Sequence, residues 1–315
     1  MNIMDFFEFF MQTSFWHTAL RSLTPVLFAT LATLVAKQAG LYFLGAEGCM
    51  TIAALFGVLG SGFTQNLWVG FLAGALAGTI WSLMIGYFSI EFRANFVITS
   101  VAFNLAAFGG SEFLLFQLTG DRNSSNSVHS LVFPSVNIPL IDSIPVIGPV
   151  LSGQNLLTYL SIVAAFIMFF MLKHTRFGLK IRSVGEMEAA AESVGINVRV
   201  IRYKTLALSG FLASLGGMYL SMAWVSRFTT GMVAGRGFIS LATQAMAGGN
   251  CLLAIGSSGL FAIGNSIAIH LQTFGVDPYL VMLVPYMFIV IIYLIVSTAQ
   301  LRKSGEKVRV WSGRI

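Results

Sequence analysis

Charge is what this sequence has least of. Asp, Glu, Lys and Arg together make up 10% of its 315 residues, against roughly 25% in an average soluble domain. So few charges cannot cover a globular surface, which excludes an ordinary soluble enzyme and a disordered chain. Cysteine is nearly absent too. Cys49 and Cys251 both lie in apolar stretches, which excludes a disulfide scaffold. No phosphate-binding loop of the G-x-x-x-x-G-K-[ST] type occurs, so ATP hydrolysis is not expected on this chain. The four histidines (17, 129, 174 and 270) are dispersed and form no H-E-x-x-H, so neither a metal centre nor a catalytic cluster is expected. Residues 1–10 hold Asp5 and Glu8 and no basic residue, unlike the start of a cleavable signal.

What is present is apolar, 56% of the chain, and it comes in long blocks. A hydrocarbon core of about 30 Å takes roughly 20 apolar residues as helix. The blocks predict an all-α polytopic membrane protein with about nine spans, at 15–36, 41–62, 67–90, 95–118, 155–172, 203–224, 238–249, 252–271 and 279–296. The second is expected to be broken at Gly45, Glu47 and Gly48, and the seventh is short. The chain reads as one transmembrane domain over 1–315, with loops at 119–152 and 173–204.

The net charge of +6 carries no basic stripe with interleaved aromatics, so nucleic acid is not an expected partner. Twelve of the eighteen basic residues lie in 173–204 and in the tail 302–314. The positive-inside rule therefore makes both segments cytoplasmic, with the N-terminus and 119–152 outside. Parity requires 238–249 to cross, paired with 252–271 through Gly248, Gly249 and Asn250.

Within the spans, Gly70, Gly74 and Gly78 recur every fourth residue, a bare stripe suited to close helix packing. Gly109-Gly110 and Gly216-Gly217 are candidate kinks or close crossings. Ionisable groups in hydrocarbon cost several kcal/mol and are candidates for function. Glu47, between Gly45 and Gly48, is the strongest. It either lines a translocation path, or caps an exposed half-helix amide end or pairs with a neighbouring Arg. Glu112 and Arg21 sit near span ends. Asn104 and Gln244 are the next pathway candidates, and Phe43, Phe103 and Phe238 are aromatics able to stack on a base. In the 173–204 loop, 186–194 reads as a short helix. Glu186 and Glu188 open it, Ala189 and Ala190 favour it, and Gly195 ends it. A loop this long between spans suggests a docking element.

Three blocks carry a resemblance. GLKIRSVGEMEAAAESVGINV keeps Gly178, Leu179, Arg182, Gly185, Ala189, Ala190, Gly195, Ile196 and Asn197 of a known coupling segment, with Met187-Glu188 where Asn-Pro is usual. QAGLYFLGAEGCM keeps Ala39, Gly40, Gly45, Glu47, Gly48 and Met50, with Phe43-Leu44 in place of Asn-Ile. GRGFISLA keeps Gly235 through Ile239, then Leu241 and Ala242. Together they resemble the permeases of ATP-driven ABC importers of the branched-chain amino acid, ribose and nucleoside type, over roughly 18–298. The likeness is to the shorter permease of purine-nucleoside importers in particular.

The resemblance implies a type II importer-like bundle in a bacterial inner membrane. It implies a second homologous permease, an ABC ATPase that carries Mg-ATP and docks on 186–194, and an extracytoplasmic binding lipoprotein. The expected solute is nucleoside-like, with riboflavin or a simple sugar as alternatives. An ion-coupled carrier would need several buried carboxylates, and only Glu47 clearly qualifies. A membrane-embedded enzyme is a further alternative, for which no clustered acid–base set occurs.

Overall fold

In a computed structural model, the chain is described at residues 13–136, 150, 152–273 and isolated positions between 283 and 298. The expected N-terminal segment, the tail 302–314 and most of the span at 279–296 lie outside the described residues.

Seven described helices are long and apolar enough to cross a membrane. They are α1 (Thr13–Gln38), α2 (Ala46–Thr64), α3 (Leu67–Ile90), α4 (Phe96–Thr119), α5 (Leu156–His174), α8 (Val198–Tyr219, extended by a π-turn Leu220–Trp224) and α10 (Cys251–Thr273). Asparagine starts five of them. Asn66, Asn95, Asn155, Asn197 and Asn250 each accept from backbone amides of the first turn that the helix itself leaves unpaired. Between the spans lie α6 (Arg176–Glu186), α7 (Glu188–Ser193) and α9 (Arg236–Met246). Strands β1 (Ser135–Val136) and β2 (Gln154–Asn155) pair antiparallel, Ser135 opposite Asn155.

Two sequence expectations change here. The second span is not broken inside. Its interruption is the non-helical stretch 41–45, and α2 then runs uninterrupted from Ala46. The expected seventh span is an 11-residue helix, about 16 Å long, too short to cross alone. The chain nevertheless passes from one end of the bundle to the other there. Phe228 exchanges hydrogen bonds with Ser125, and Thr230 N–H donates to the Asn123 carbonyl, at the end that holds the α4–α5 loop. Nineteen residues after Thr230, the Gly249 carbonyl accepts from Gln38 Nε2 at the opposite end. An irregular strand of chain and a half-helix therefore make one traverse, and such backbone at membrane depth needs protein or a water-filled cavity beside it.

The bundle centres on α1, α2, α3 and α8. Every described residue of α1 from Ser22 to Ala36 is buried. Pro25 within it is accommodated without a break, as neighbouring helices allow in membrane bundles. Gly70, Gly74 and Gly78 of α3 are all buried. A Cβ on Gly70 would lie 2.5 Å from Ser61 Cβ, and one on Gly74 2.8 Å from the Ala53 carbonyl, so the stripe is where α3 meets α2 and α8. A Cβ on Gly217 would run into the Met50 carbonyl, so α8 crosses α2 backbone to backbone. Gly109 and Gly110, by contrast, face open space within an unbroken α4.

Buried hydroxyls tie α1 to the outer helices. Thr30 meets Thr243 of α9 at 2.6 Å and accepts from Ser258 of α10, while Thr24 donates to Thr158 of α5. Each such bond is worth well under about 2 kcal/mol in a membrane interior. Their value is in fixing which helix faces meet.

Candidate functional site

Two sequence blocks separated by nearly 190 positions form one site. Glu47 lies in the first turn of α2 and is 1% exposed. Its Oε1 accepts from Gly235 N–H at 2.8 Å and its Oε2 from Gly237 N–H at 2.6 Å. Those amides begin α9, where a helix has donors without internal partners and a partial positive charge. The carboxylate thus stands between two helix N-termini, its own and that of α9, and satisfies donors that would otherwise be orphaned in a water-poor interior.

The glycines of the site have a steric reason. Gly235 has φ +76°, which a side chain resists. A Cβ on Gly237 would lie 2.6 Å from Glu47 Cα, so any other residue would push α9 away from the carboxylate. Gly48 N–H donates to Asn104 Oδ1 at 2.9 Å, and Asn104 Nδ2 donates to the Leu44 carbonyl at 2.9 Å. Asn104 of α4 therefore clamps the turn that opens α2. A Cβ on Gly45 would meet Ile85 and Phe43. Phe43 itself is buried, packed against Phe96 at 6.3 Å.

The structure gathers Gly45, Glu47, Gly48, Asn104 and Phe43 around the start of α2. Gln244 lies on α9, 5% exposed, and its Nε2 has no hydrogen-bond partner among the described residues. Such a buried, unpaired donor costs about 1–3 kcal/mol. Of the base-stacking aromatics, Phe103 packs on Trp81 at 5.4 Å and Phe238 is largely exposed. Trp81 was not singled out from sequence. Its Nε1 is also buried without a partner among the described residues, and a Cβ on Gly48 would come within 3.2 Å of it. Glu112 is exposed on α4, two turns before the helix end at Thr119 and on the side that holds Gly109.

The second site is at the other end of the molecule's chemistry, in 173–204. The sequence suggests one helix over 186–194, and the structure has two. Thr175 Oγ1 accepts from Gly178 N–H and starts α6, which buries Gly178, Ile181 and Val184. Gly185 lies against the Gln38 carbonyl and Gly40, so α6 is pinned under the end of α1. Glu186 therefore ends α6 and does not begin the docking helix. Met187 is extended, and α7 starts at Glu188. Glu188 holds both Nη atoms of Arg202, at 3.0 and 2.8 Å. After Ser193, Gly195 takes φ +80°, its N–H donates to the Glu192 carbonyl, and Ile196 N–H donates to the Ala191 carbonyl. That paired closure is a Schellman turn. Ala191 is buried, while Ala189 and Ala190 are exposed at the end of the bundle. Arg199 pairs with Glu91 at 3.4 Å nearby. The result is a short helix tied down at both ends, with its outer face bare.

Comparisons with known proteins identify the family of the chain. A family model described as branched-chain amino acid transport system / permease component matches residues 16–299. The chain is 34% identical to the nucleoside ABC transporter permease protein NupC of Lactococcus lactis, over 78% of this chain and 79% of that one. It is 33% identical to the guanosine ABC transporter permease protein NupQ of Bacillus subtilis, over 78% of each. It is 30% identical to the putative glucose ABC transporter permease protein TsgC13 of Haloferax volcanii, over 72% of this chain and 68% of that one. No solved structure matches.

Proposed function

The chain belongs to the family of branched-chain amino acid transport system permeases, as a multi-pass membrane component of an ABC transporter, and from that premise we propose that it joins a second permease to form the import pathway for a nucleoside-like solute. Two of the reported relatives are named for nucleosides and one for glucose, which is why a sugar remains the second reading. The observation that carries the importer reading is α7, a helix fastened at both ends with Ala189 and Ala190 bare. A separate ATPase that binds Mg-ATP docks there and moves α6, α7 and the spans they join. The chain itself binds no cofactor.

The end of the bundle with α6 and α7 also has Lys37, Arg93, Lys173, Arg176, Lys180, Arg182, Arg199, Arg202 and Lys204. By the positive-inside rule that end is cytoplasmic. The α4–α5 loop and 225–235 then face outward, where a binding lipoprotein delivers solute. The exposed Glu112 supports a shared pathway, because a carboxylate two turns inside a span is costly against lipid and needs water or a second subunit beside it. Gln244 supplies an unpaired donor able to meet a solute hydroxyl or ring nitrogen.

Co-purification tests this reading. The tagged chain is expected to bring down a second permease, an ATPase and a lipoprotein with a bound nucleoside. Uptake that persists without ATP and collapses with a protonophore would replace it with an ion-coupled carrier.

A further inference from the structure

A cavity of about 190 Å³ opens where the end of α5, α6 and the α9–α10 turn meet, well away from Glu47. Lys173 and Arg182 line it, and none of its nine lining residues is acidic. Arg182 Nε is buried with no hydrogen-bond partner among the described residues. Lys173 Nζ rests 5.1 Å from the Phe169 ring centre and makes no ion pair among the described residues. The cavity floor is the turn Gly248-Gly249-Asn250, which takes φ +57° and +84° at its glycines and is held by Gln38. It opens onto the N-terminus of α10, a 23-residue helix whose dipole adds positive potential there. Two cations, a helix N-terminus and no carboxylate make a site for an anion.

The surroundings indicate which anion. The cavity lies at the ends of two membrane spans. Directly beside it, α5 exposes Phe166, Ile167 and Phe170, and α10 exposes Leu253. An apolar outer wall that ends in a basic pocket fits a molecule with acyl chains and a charged head. We propose that this cavity binds the phosphate of an anionic phospholipid, its chains lying along α5 and α10. Basic pockets between spans take such head groups. This places a lipid on the turn that orients α9 and on α6, which leads into α7, so lipid charge bears on both the traverse and the docking element. The site rests on the membrane-spanning reading of α5 and α10 and not on the identity of the solute.

The test is native mass spectrometry of the delipidated full chain, titrated with phosphatidylglycerol or phosphatidylcholine. Each cation near a membrane surface contributes about a fivefold preference, so phosphatidylglycerol should bind on the order of thirtyfold more tightly. Lys173→Gln should cut that preference about fivefold, and Lys173→Gln with Arg182→Gln should abolish it. Equal binding of the two lipids, or an unchanged preference in the Lys173→Gln chain, would overturn the proposal. Lys173 has an exposed head, so its variant keeps the test alive if the double variant does not fold. Inorganic phosphate distinguishes the source. Thermal stabilisation by phosphate without lipid discrimination would assign the cavity to a soluble anion and sink the lipid.

Discussion

Glu47→Gln replaces one carboxylate oxygen with an amide nitrogen and should loosen α9. The carboxylate accepts from Gly235 and Gly237 at 2.8 and 2.6 Å. A glutamine of the same shape keeps one acceptor, but its amide group points a donor at the other N–H. That backbone amide is then buried and unpaired, a loss of about 1–3 kcal/mol. The charge–dipole attraction at the two helix N-termini is lost too, a further ~0.3–2 kcal/mol. Together these come to about 1–5 kcal/mol, which for a chain of this size corresponds to a fall of roughly 2–8 °C in the thermal midpoint. The midpoint is read by tryptophan fluorescence or a thiol-reactive dye in detergent, with uptake measured on the same variant in proteoliposomes. Gly237→Ala attacks the contact from the other side, since its Cβ would press on Glu47. The two changes should be less than additive, as they break one interaction. Assembly with the partner subunits should survive Glu47→Gln, and uptake should fall. A midpoint within about 1 °C of the unaltered protein would refute the capping argument. If transport were nevertheless abolished, Glu47 would act on the solute and not on the helix.

Gly74→Ala should destabilise by about 1–3 kcal/mol, because its Cβ would lie 2.5 Å from Met218 Sδ and 2.8 Å from a backbone carbonyl, whereas Gly109→Ala on the open side of α4 should be neutral or stabilising in the same melt. Ala190→Trp should uncouple ATP hydrolysis from uptake with no change in thermal midpoint, since Ala190 is exposed. Ala191→Trp, at a buried neighbour, should lower the midpoint by several degrees. Asp121 accepts from both the N–H and the hydroxyl of Ser127, and those bonds hold its carboxyl below the ordinary range. Its contribution is present above the ordinary carboxylate pKa of about 4 and is lost as pH falls through the lowered folded value. Hydrogen exchange at the Ser127 amide should therefore rise only below that ordinary value, and Asp121→Asn should remove the pH dependence.

The spans were legible in the sequence because hydrocarbon imposes one requirement, about 20 apolar residues in a row, that composition alone displays. Glycine spacing was legible for the same reason: Gly70, Gly74 and Gly78 repeat at the period of a helix face. The role of Glu47 was legible only as a pair of alternatives. Its partners are backbone amides nearly 190 residues later, and an amide has no letter in the sequence. Of the two helices in 173–204, the first, α6, was hidden by charge. Gly178, Ile181 and Val184 recur every third residue, which is a helical face, but Lys173, Arg176, Lys180 and Arg182 around them read as a solvated loop. The short α9 could not be placed by hydropathy, since its 11 residues fall short of a span and irregular chain completes its path.

The crossing at Gly217 has a mechanical consequence. Where two helices meet through side chains, rotamers can change and the helices can slide. Where Gly217 lies on the backbone of Met50, there is no side chain to give way. Helices α2 and α8 are therefore expected to move as one body. Any cycle that opens the pathway first to one side and then to the other must take up its displacement elsewhere. The places left are α4, whose Gly109 and Gly110 face open space, and the α9–α10 turn. Spectroscopic labels on α2 and α8 should keep a constant separation through the cycle while labels on α4 and α9 move.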